Sequence, residues 1–244
     1  MSDTNLILLE AAFLVVSMLY SVTGHGGASG YIAVMALLGM APHEIKPMAL
    51  GLNIIVSLIA TIQFYRAGHF NKSLFLPFAI ASAPLALLGG YIQLPAAQFK
   101  ILLGIALLFA AFRLYPRTTF DQPKTIKHWA LPAVIGMAIG FISGLLGIGG
   151  GIFLTPLLLL MQWANPRQAA AVSAPFILVN SLAGLTGYLS HNAILPEHFV
   201  LSGLVVMLGG LIGSYLGSRK LHMKTITRIL SAVILLAGLK LCLT

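Results

Sequence analysis

The chain has 244 residues, of which 59% are hydrophobic and 8% charged, and its formal net charge is +9. Soluble domains carry about 25% charged residues, so this composition excludes an ordinary globular core and points to a chain solvated by lipid. The positive charge is scattered over short polar stretches with no continuous basic face, which excludes a nucleic-acid surface. The single cysteine, Cys242, excludes an intramolecular disulfide and a cysteine metal cluster.

The first apolar run covers 5–22 and holds one carboxylate, Glu10. Asp3 stands where a signal peptide would be basic, so the run reads as a membrane helix. It leads into a glycine-rich break, Gly24-His25-Gly26-Gly27-Ala28-Ser29-Gly30. The next apolar run, 28–40, is too short to cross a bilayer: at 1.5 Å per residue about a dozen residues span roughly 18 Å of a ~30 Å hydrocarbon core. Apolar runs at 45–65, 73–92 and 98–115 follow. The polar stretch from Tyr115 to His128 then divides the chain.

The second half repeats the order. Runs are expected at 131–147, 151–163, 168–189, 198–217 and 225–243, with a second break, Gly144-Leu145-Leu146-Gly147-Ile148-Gly149-Gly150-Gly151, after the first of them. A shift of 124 residues places Gly26-Gly27 on Gly150-Gly151 and Pro42 on Pro166. The same shift places Ser57 on Ser181, Gly89 on Gly213 and Tyr91 on Tyr215. Ala41-Pro42-His43-Glu44 and Asn165-Pro166-Arg167-Gln168 both put proline at a first helical position. The expected architecture is an all-α polytopic membrane protein with two homologous repeats, 1–115 and 131–244, joined by a cytoplasmic connector, 116–130.

Charge orients it. With the N-terminus outside and ten alternating segments, the cytoplasmic side receives Arg66, Lys72, Arg113, Arg117, Lys124, Lys127, Arg167, Arg219, Lys220, Lys224 and Arg228. The outer side receives only Lys46, Lys100 and Lys240. That split is what the positive-inside rule requires, and an odd number of spanning units per half makes the repeats inverted. A hairpin in place of each first pair of segments gives the same sidedness. A lone re-entrant loop, leaving four spans per half, does not.

Short, broken segments at matching places in two halves point to a transporter's substrate site. Glycine lets backbone N–H groups approach a ligand, and the first turn of the next helix presents unpaired N–H groups with partial positive charge. Two such termini would cradle a small anion with no buried Lys or Arg. The backbone candidates are Gly26, Gly27, Gly30, Gly149, Gly150 and Gly151. The side-chain candidates come from the third segment of each half: Asn53, Ser57, Ser173 and Asn180, with Thr61, Gln63, Ser181 and Thr186 nearby. His25 and Glu10 are the candidates for a coupling proton. Gly89, Gly90, Gly209, Gly210, Gly213 and Gly217 read as close-packing contacts, and Tyr115, Trp129, Trp163 and Tyr188 as interfacial anchors.

The duplicated break followed by a short proline-bearing helix (Pro156 in the second copy) resembles the TauE/SafE family of sulfite and organosulfonate exporters. The resemblance covers essentially the whole chain, and the second break is the closer match. In the first, His25 and Ser29 stand where the family more often has glycine or an apolar residue. The resemblance implies a multi-pass permease of the bacterial inner membrane for a sulfur oxyanion or a related small anion, with no cofactor and no catalysis. The chain carries no nucleotide-binding motif. Homo-oligomerisation is left open. Two other readings are weighed. Export of another small solute stays open, and export of a small cation or metal ion lacks acidic residues at mid-span. Gly27-Ala28-Ser29-Gly30 matches the Gly-x-Ser-Gly signature of rhomboid intramembrane proteases, with Ser29 as nucleophile, but the second repeat has Phe153 at the matching place.

Overall fold

The computed structural model describes residues 3–95, 128–191 and 196–220, with isolated positions at 98, 101, 102, 104, 105, 108, 112, 124 and 235. Apart from those isolated positions, the expected segments 98–115 and 225–243, most of the connector, and Cys242 lie outside the described residues. Within them the chain is all helical: α1 Asp3–Val22, α2 Ala28–Leu37, α3 Pro42–Arg66, α4 Lys72–Tyr91, α5 Ala130–Leu146, α6 Gly151–Leu160, α7 Pro166–Leu189 and α8 Phe199–Arg219. Five of these are long and apolar enough to cross a membrane: α1, α3, α4, α7 and α8. Their outward faces carry exposed Ile7, Ile80 and Val200, and α5 adds Val134, as a lipid-facing surface requires. The protein is a multi-pass membrane protein.

The long helices form a row, α1–α8–α3–α7–α4–α5, with α2 lying on α3 and α6 on α7. α3 and α7 sit at the centre and run antiparallel. Asn53 meets Ser181 at their crossing, and the Tyr188 hydroxyl at the end of α7 donates to the His43 carbonyl at the start of α3 at 2.7 Å. Pro47 lacks the N–H that would otherwise bond the His43 carbonyl, so Tyr188 satisfies an acceptor freed by proline. Tyr188 is therefore a buried interhelical partner, not a free interfacial anchor.

Glycine sets the outer contacts. A Cβ on Gly140 or Gly144 of α5 would strike the carbonyls of Ser82 and Ala86, and one on Gly213 or Gly217 of α8 would strike those of Met18 and Val22. Small residues every fourth position let these backbones touch. Gly144 thus belongs to a packing stripe and not to the second break. The same contacts fix direction. Met18 beside Gly213 and Val22 beside Gly217 make α1 and α8 parallel. Ser82 beside Gly140 and Ala86 beside Gly144 make α4 and α5 parallel. Gly51 faces Phe199 and Ile55 faces Gly203, so α8 also runs parallel to α3. Phe78 against Phe176 and Gly90 against Gly184 align α4 with α7.

Both breaks use the same backbone device. After α1, Gly24 (φ 73°) turns the chain and the His25 N–H bonds the Tyr20 carbonyl at 3.0 Å. Gly27 (φ 100°) then starts α2. After α5, Gly147 (φ 74°) turns the chain and the Ile148 N–H bonds the Ser143 carbonyl at 3.1 Å. Gly150 (φ 85°) then starts α6. Side chains with a Cβ rarely adopt these left-handed angles. The breaks therefore match at a shift of 123 (Gly27 to Gly150), one residue less than the 124 read from the sequence. The extra residue lies after α6: Gly39 (φ 76°) leads to Pro42 in three steps, whereas Gln162 (φ 57°) leads to Pro166 in four. Gly26 and Gly27 thus correspond to Gly149 and Gly150, Gly151 to Ala28, and Ser29 to Ile152 in place of Phe153.

Candidate functional site

Asn53 is the point at which the two breaks meet. It lies midway along α3, 1% exposed. Its Oδ1 accepts the Ala28 N–H in the first turn of α2 at 3.2 Å. Its Nδ2 donates to Ser181 Oγ on α7 at 2.9 Å and to the Ile148 carbonyl in the second break at 3.4 Å. A Cβ on Gly26 would overlap Asn53 Oδ1, and one on Gly149 would overlap Asn53 Nδ2. Glycine at both positions is what lets the amide reach both backbones.

A second link joins the breaks directly. His25, 3% exposed, sets Nε2 3.2 Å from the Gly151 carbonyl, and Nδ1 3.0 Å and 2.9 Å from the carbonyl and hydroxyl of Thr23. Ser29 donates to the Tyr20 hydroxyl at 3.0 Å. Neither ring nitrogen of His25 is paired with Ser29.

Electrostatically the site is built from backbone. Gly27 and Gly150 carry no side chain to cap the helices that follow them. The first-turn N–H groups of Ser29, Gly151 and Ile152 have no acceptor within their own helices. At α2 the Asn53 amide oxygen accepts the Ala28 N–H in place of a capping side chain.

The remaining candidates fall at varied distances from this centre. Ser173 pairs with Thr155 of α6 at 2.7 Å, one turn in from Gly151. Ser57 donates to the Ile54 carbonyl of its own helix, one turn beyond Asn53. Asn180 donates to the Phe176 carbonyl, and its buried Oδ1 meets no hydrogen-bond partner among the described residues. Gly27 and Gly150 face Tyr31 and Ser143, and Gly151 faces Ile177 and His25. Gly30 lies within α2 and packs on Val16 and Tyr20, so the geometry gives it a helix contact with α1. Glu10 is remote from both breaks. It accepts a hydrogen bond from Ser202 of α8 at 2.5 Å, and its second oxygen is buried without a partner among the described residues.

Two residues were missed in the sequence. Tyr20 and Thr23 precede the first glycine and hold Ser29 and His25; as an aromatic and a hydroxyl in an apolar run they carried no distinguishing signal. Lys46 was counted with the outer loops, yet it is 5% exposed. Its ammonium donates to the carbonyls of Gly89, Gly90 and Ile92 at 3.3, 3.0 and 3.1 Å and lies 5.7 Å above the Tyr188 ring. It caps the end of α4, where helix carbonyls lack intrahelical donors. Its position inside the apolar run 45–65 was the available clue. Among the described residues no group of three or more His, Cys, Asp or Glu is placed to hold a metal ion.

Comparison with known proteins gives a consistent picture. The family described as Sulfite exporter TauE/SafE matches residues 9–241. The chain is 40% identical over 247 residues to the "Probable membrane transporter protein y4hK" of Sinorhizobium fredii, covering 98% of this chain and 99% of that one. It is 26% identical to the "Probable membrane transporter protein YunE" of Bacillus subtilis, covering 97% of each. It is 28% identical to the "Probable membrane transporter protein MJ0441" of Methanocaldococcus jannaschii, covering 76% of this chain and 73% of that one. No solved structure matches the chain.

Proposed function

The chain belongs to the TauE/SafE sulfite exporter family, and from that premise we propose that this membrane transporter exports a small anion: sulfite, an organosulfonate or a related sulfur oxyanion. The observation that carries the reading is the convergence of two left-handed glycine caps on Asn53. It brings two helix N-termini, each favouring negative charge, into one buried place, with the Lys46 stem packed on Gly147 and its ammonium turned away to the end of α4. Gly26, Gly27, Gly149, Gly150 and Gly151 form the cradle, with Gly30 behind it. Asn53 and Ser181 form its floor. Ser57, Ser173 and Asn180 are the polar groups within reach of a moving ligand. His25 and Glu10 are the positions for a coupling proton, and His25 is favoured because it touches both breaks.

Residues 1–115 and 131–244 act as two repeats around this site, joined by a cytoplasmic connector at 116–130. The helix directions support their inversion. α1, α3 and α8 run one way and α4, α5 and α7 the other, so α1, α3 and α4 oppose their counterparts α5, α7 and α8 across the shift. Alternating access then rocks one repeat against the other. The protease reading loses support from Ser29, whose partner is Tyr20 and not His25.

Ligand-dependent thermal stabilisation tests the reading with no assumption about direction. At a concentration of about 100 Kd a ligand adds about 2.7 kcal/mol of stability. Sulfite or a sulfonate should raise the melting temperature, while carboxylates and divalent cations should not. Stabilisation by a divalent cation alone would replace this reading with metal export. Cysteine labelling provides the topological check: an impermeant reagent outside the cell should modify Ser2→Cys and not Thr119→Cys.

A further inference from the structure

Among the described residues three buried side-chain oxygens have no hydrogen-bond partner: Glu10 Oε2, Asn180 Oδ1 and Tyr31 Oη. Buried polar groups are normally paired, so each of the three calls for a reason. A carboxylate or amide oxygen accepts hydrogen bonds and offers an anion nothing. A phenol carries a proton to give, so Tyr31 is the donor of the set.

The fold puts that donor at the first break. Tyr31 lies one turn past Gly27 in α2, and helical side chains lean back toward their N-terminus. The hydroxyl therefore reaches the left-handed glycine at which the helix starts. A Cβ on Gly27 would come within 2.7 Å of both Cζ and Oη of Tyr31. Gly27 itself supplies no capping side chain to α2. The residue is 0% exposed, with its ring edge-on to Phe13 at 5.1 Å. Ser17 of α1 also faces the phenol, but its proton goes to the Leu14 carbonyl at 2.9 Å, and the two hydroxyls form no hydrogen bond.

The other repeat shows that packing does not require this hydroxyl. At the shift of 123, Tyr31 matches Leu154, which is equally buried among apolar side chains. The phenol oxygen is thus a surplus over what the core needs at this place. The second break also sets a hydroxyl against its glycine cap, since Gly150 faces Ser143 Oγ as Gly27 faces Tyr31 Oη. There the proton is committed to the Ile139 carbonyl, whereas that of Tyr31 has no acceptor.

We infer that Tyr31 is a substrate-binding residue, whose hydroxyl donates a hydrogen bond to an oxygen of the anion at the N-terminus of α2. The inference rests on the anion reading given above and adds a side-chain donor to a cradle built of backbone. A phenol is protonated across the physiological range and gives one proton. It therefore selects an oxygen that brings none of its own, as every oxygen of a sulfonate or of the sulfite dianion does.

The test is Tyr31→Phe in the full-length protein, read by thermal melting in detergent with and without sulfite. Without sulfite the variant should melt at or above the wild-type temperature, because the ring is kept and an unpaired buried donor is removed. The sulfite concentration needed for a given rise in melting temperature should increase about tenfold to a hundredfold, as expected for losing a hydrogen bond to a charged group. A melting temperature clearly below wild type without sulfite would give the hydroxyl a structural partner and overturn the inference. So would a sulfite requirement within about twofold of wild type. If sulfite stabilises neither protein, the anion reading fails and the assignment falls with it. Carbon-13 NMR of the tyrosine-labelled wild type is the second readout. The chain has seven tyrosines. The Cζ resonance that is missing in Tyr31→Phe should move downfield when sulfite is added. Sulfite binding that leaves this resonance in place would overturn the inference.

Discussion

Replacing Asn53 separates its part in folding from its part in anion binding. Asn53→Ala removes the bonds to Ala28, Ser181 and Ile148. Hydrogen bonds between membrane helices average about 0.6 kcal/mol and reach about 1.7. The Ala28 N–H, left buried without an acceptor, costs about 1–3 kcal/mol more. The expected loss of stability is about 2–4 kcal/mol. Asn53→Asp behaves differently. One carboxylate oxygen keeps the Ala28 bond, and a negative charge at a helix N-terminus gains up to about 2 kcal/mol. The other oxygen then opposes the Ile148 carbonyl and offsets much of that gain, so stability stays within about 1 kcal/mol of wild type. Anion binding should collapse, because two like charges about 4 Å apart at an effective dielectric near 20 repel by about 4 kcal/mol, close to a thousandfold in affinity. The assay is sulfite-dependent thermal stabilisation of both variants alongside wild type. A folded Asn53→Asp protein that binds sulfite within about tenfold of wild type would refute the placement of the anion at this amide.

Gly150→Val forces a β-branched residue to φ 85° against Ser143 and Ile139 and should abolish transport. Gly39→Ala, at φ 76° with open space around it, should cost only about 1–2 kcal/mol of stability and remain active in sulfite counterflow. Lys46→Met strips three charge-assisted bonds from the end of α4 and should lower stability by about 2–4 kcal/mol, read as a fall in melting temperature in detergent. Ser29→Ala loses one bond to Tyr20 and should retain most sulfite flux; complete loss would revive a nucleophilic role for Ser29.

Periodicity and punctuation made most of the helices readable from sequence. Pro42 and Pro166 start α3 and α7 where proline at a first helical position demands, and the Asn165–Gln168 capping box forms. The glycine breaks were legible because dense glycine in an apolar chain has few other uses. Their register was off by one residue, since Gln162 takes a left-handed angle that sequence would assign to glycine, and the compensating residue hides in the following turn. Asn53 was readable as a polar residue at a central depth. Its reach across to Ser181 was not, because that contact depends on how α3 crosses α7. Lys46 was misread for the opposite reason. A charge at a segment end suggests water, and only the tertiary fold shows the end of α4 lying over it.

The central claim is that a sulfur oxyanion passes through the two glycine breaks, and counterflow of isotopically labelled sulfite into liposomes tests it most directly. Saturable exchange is expected in the wild type and none in Gly150→Val, with both proteins equally folded by size-exclusion profile. Sulfite flux in the wild type no greater than in empty liposomes, or equal flux in the folded Gly150→Val variant, would contradict it.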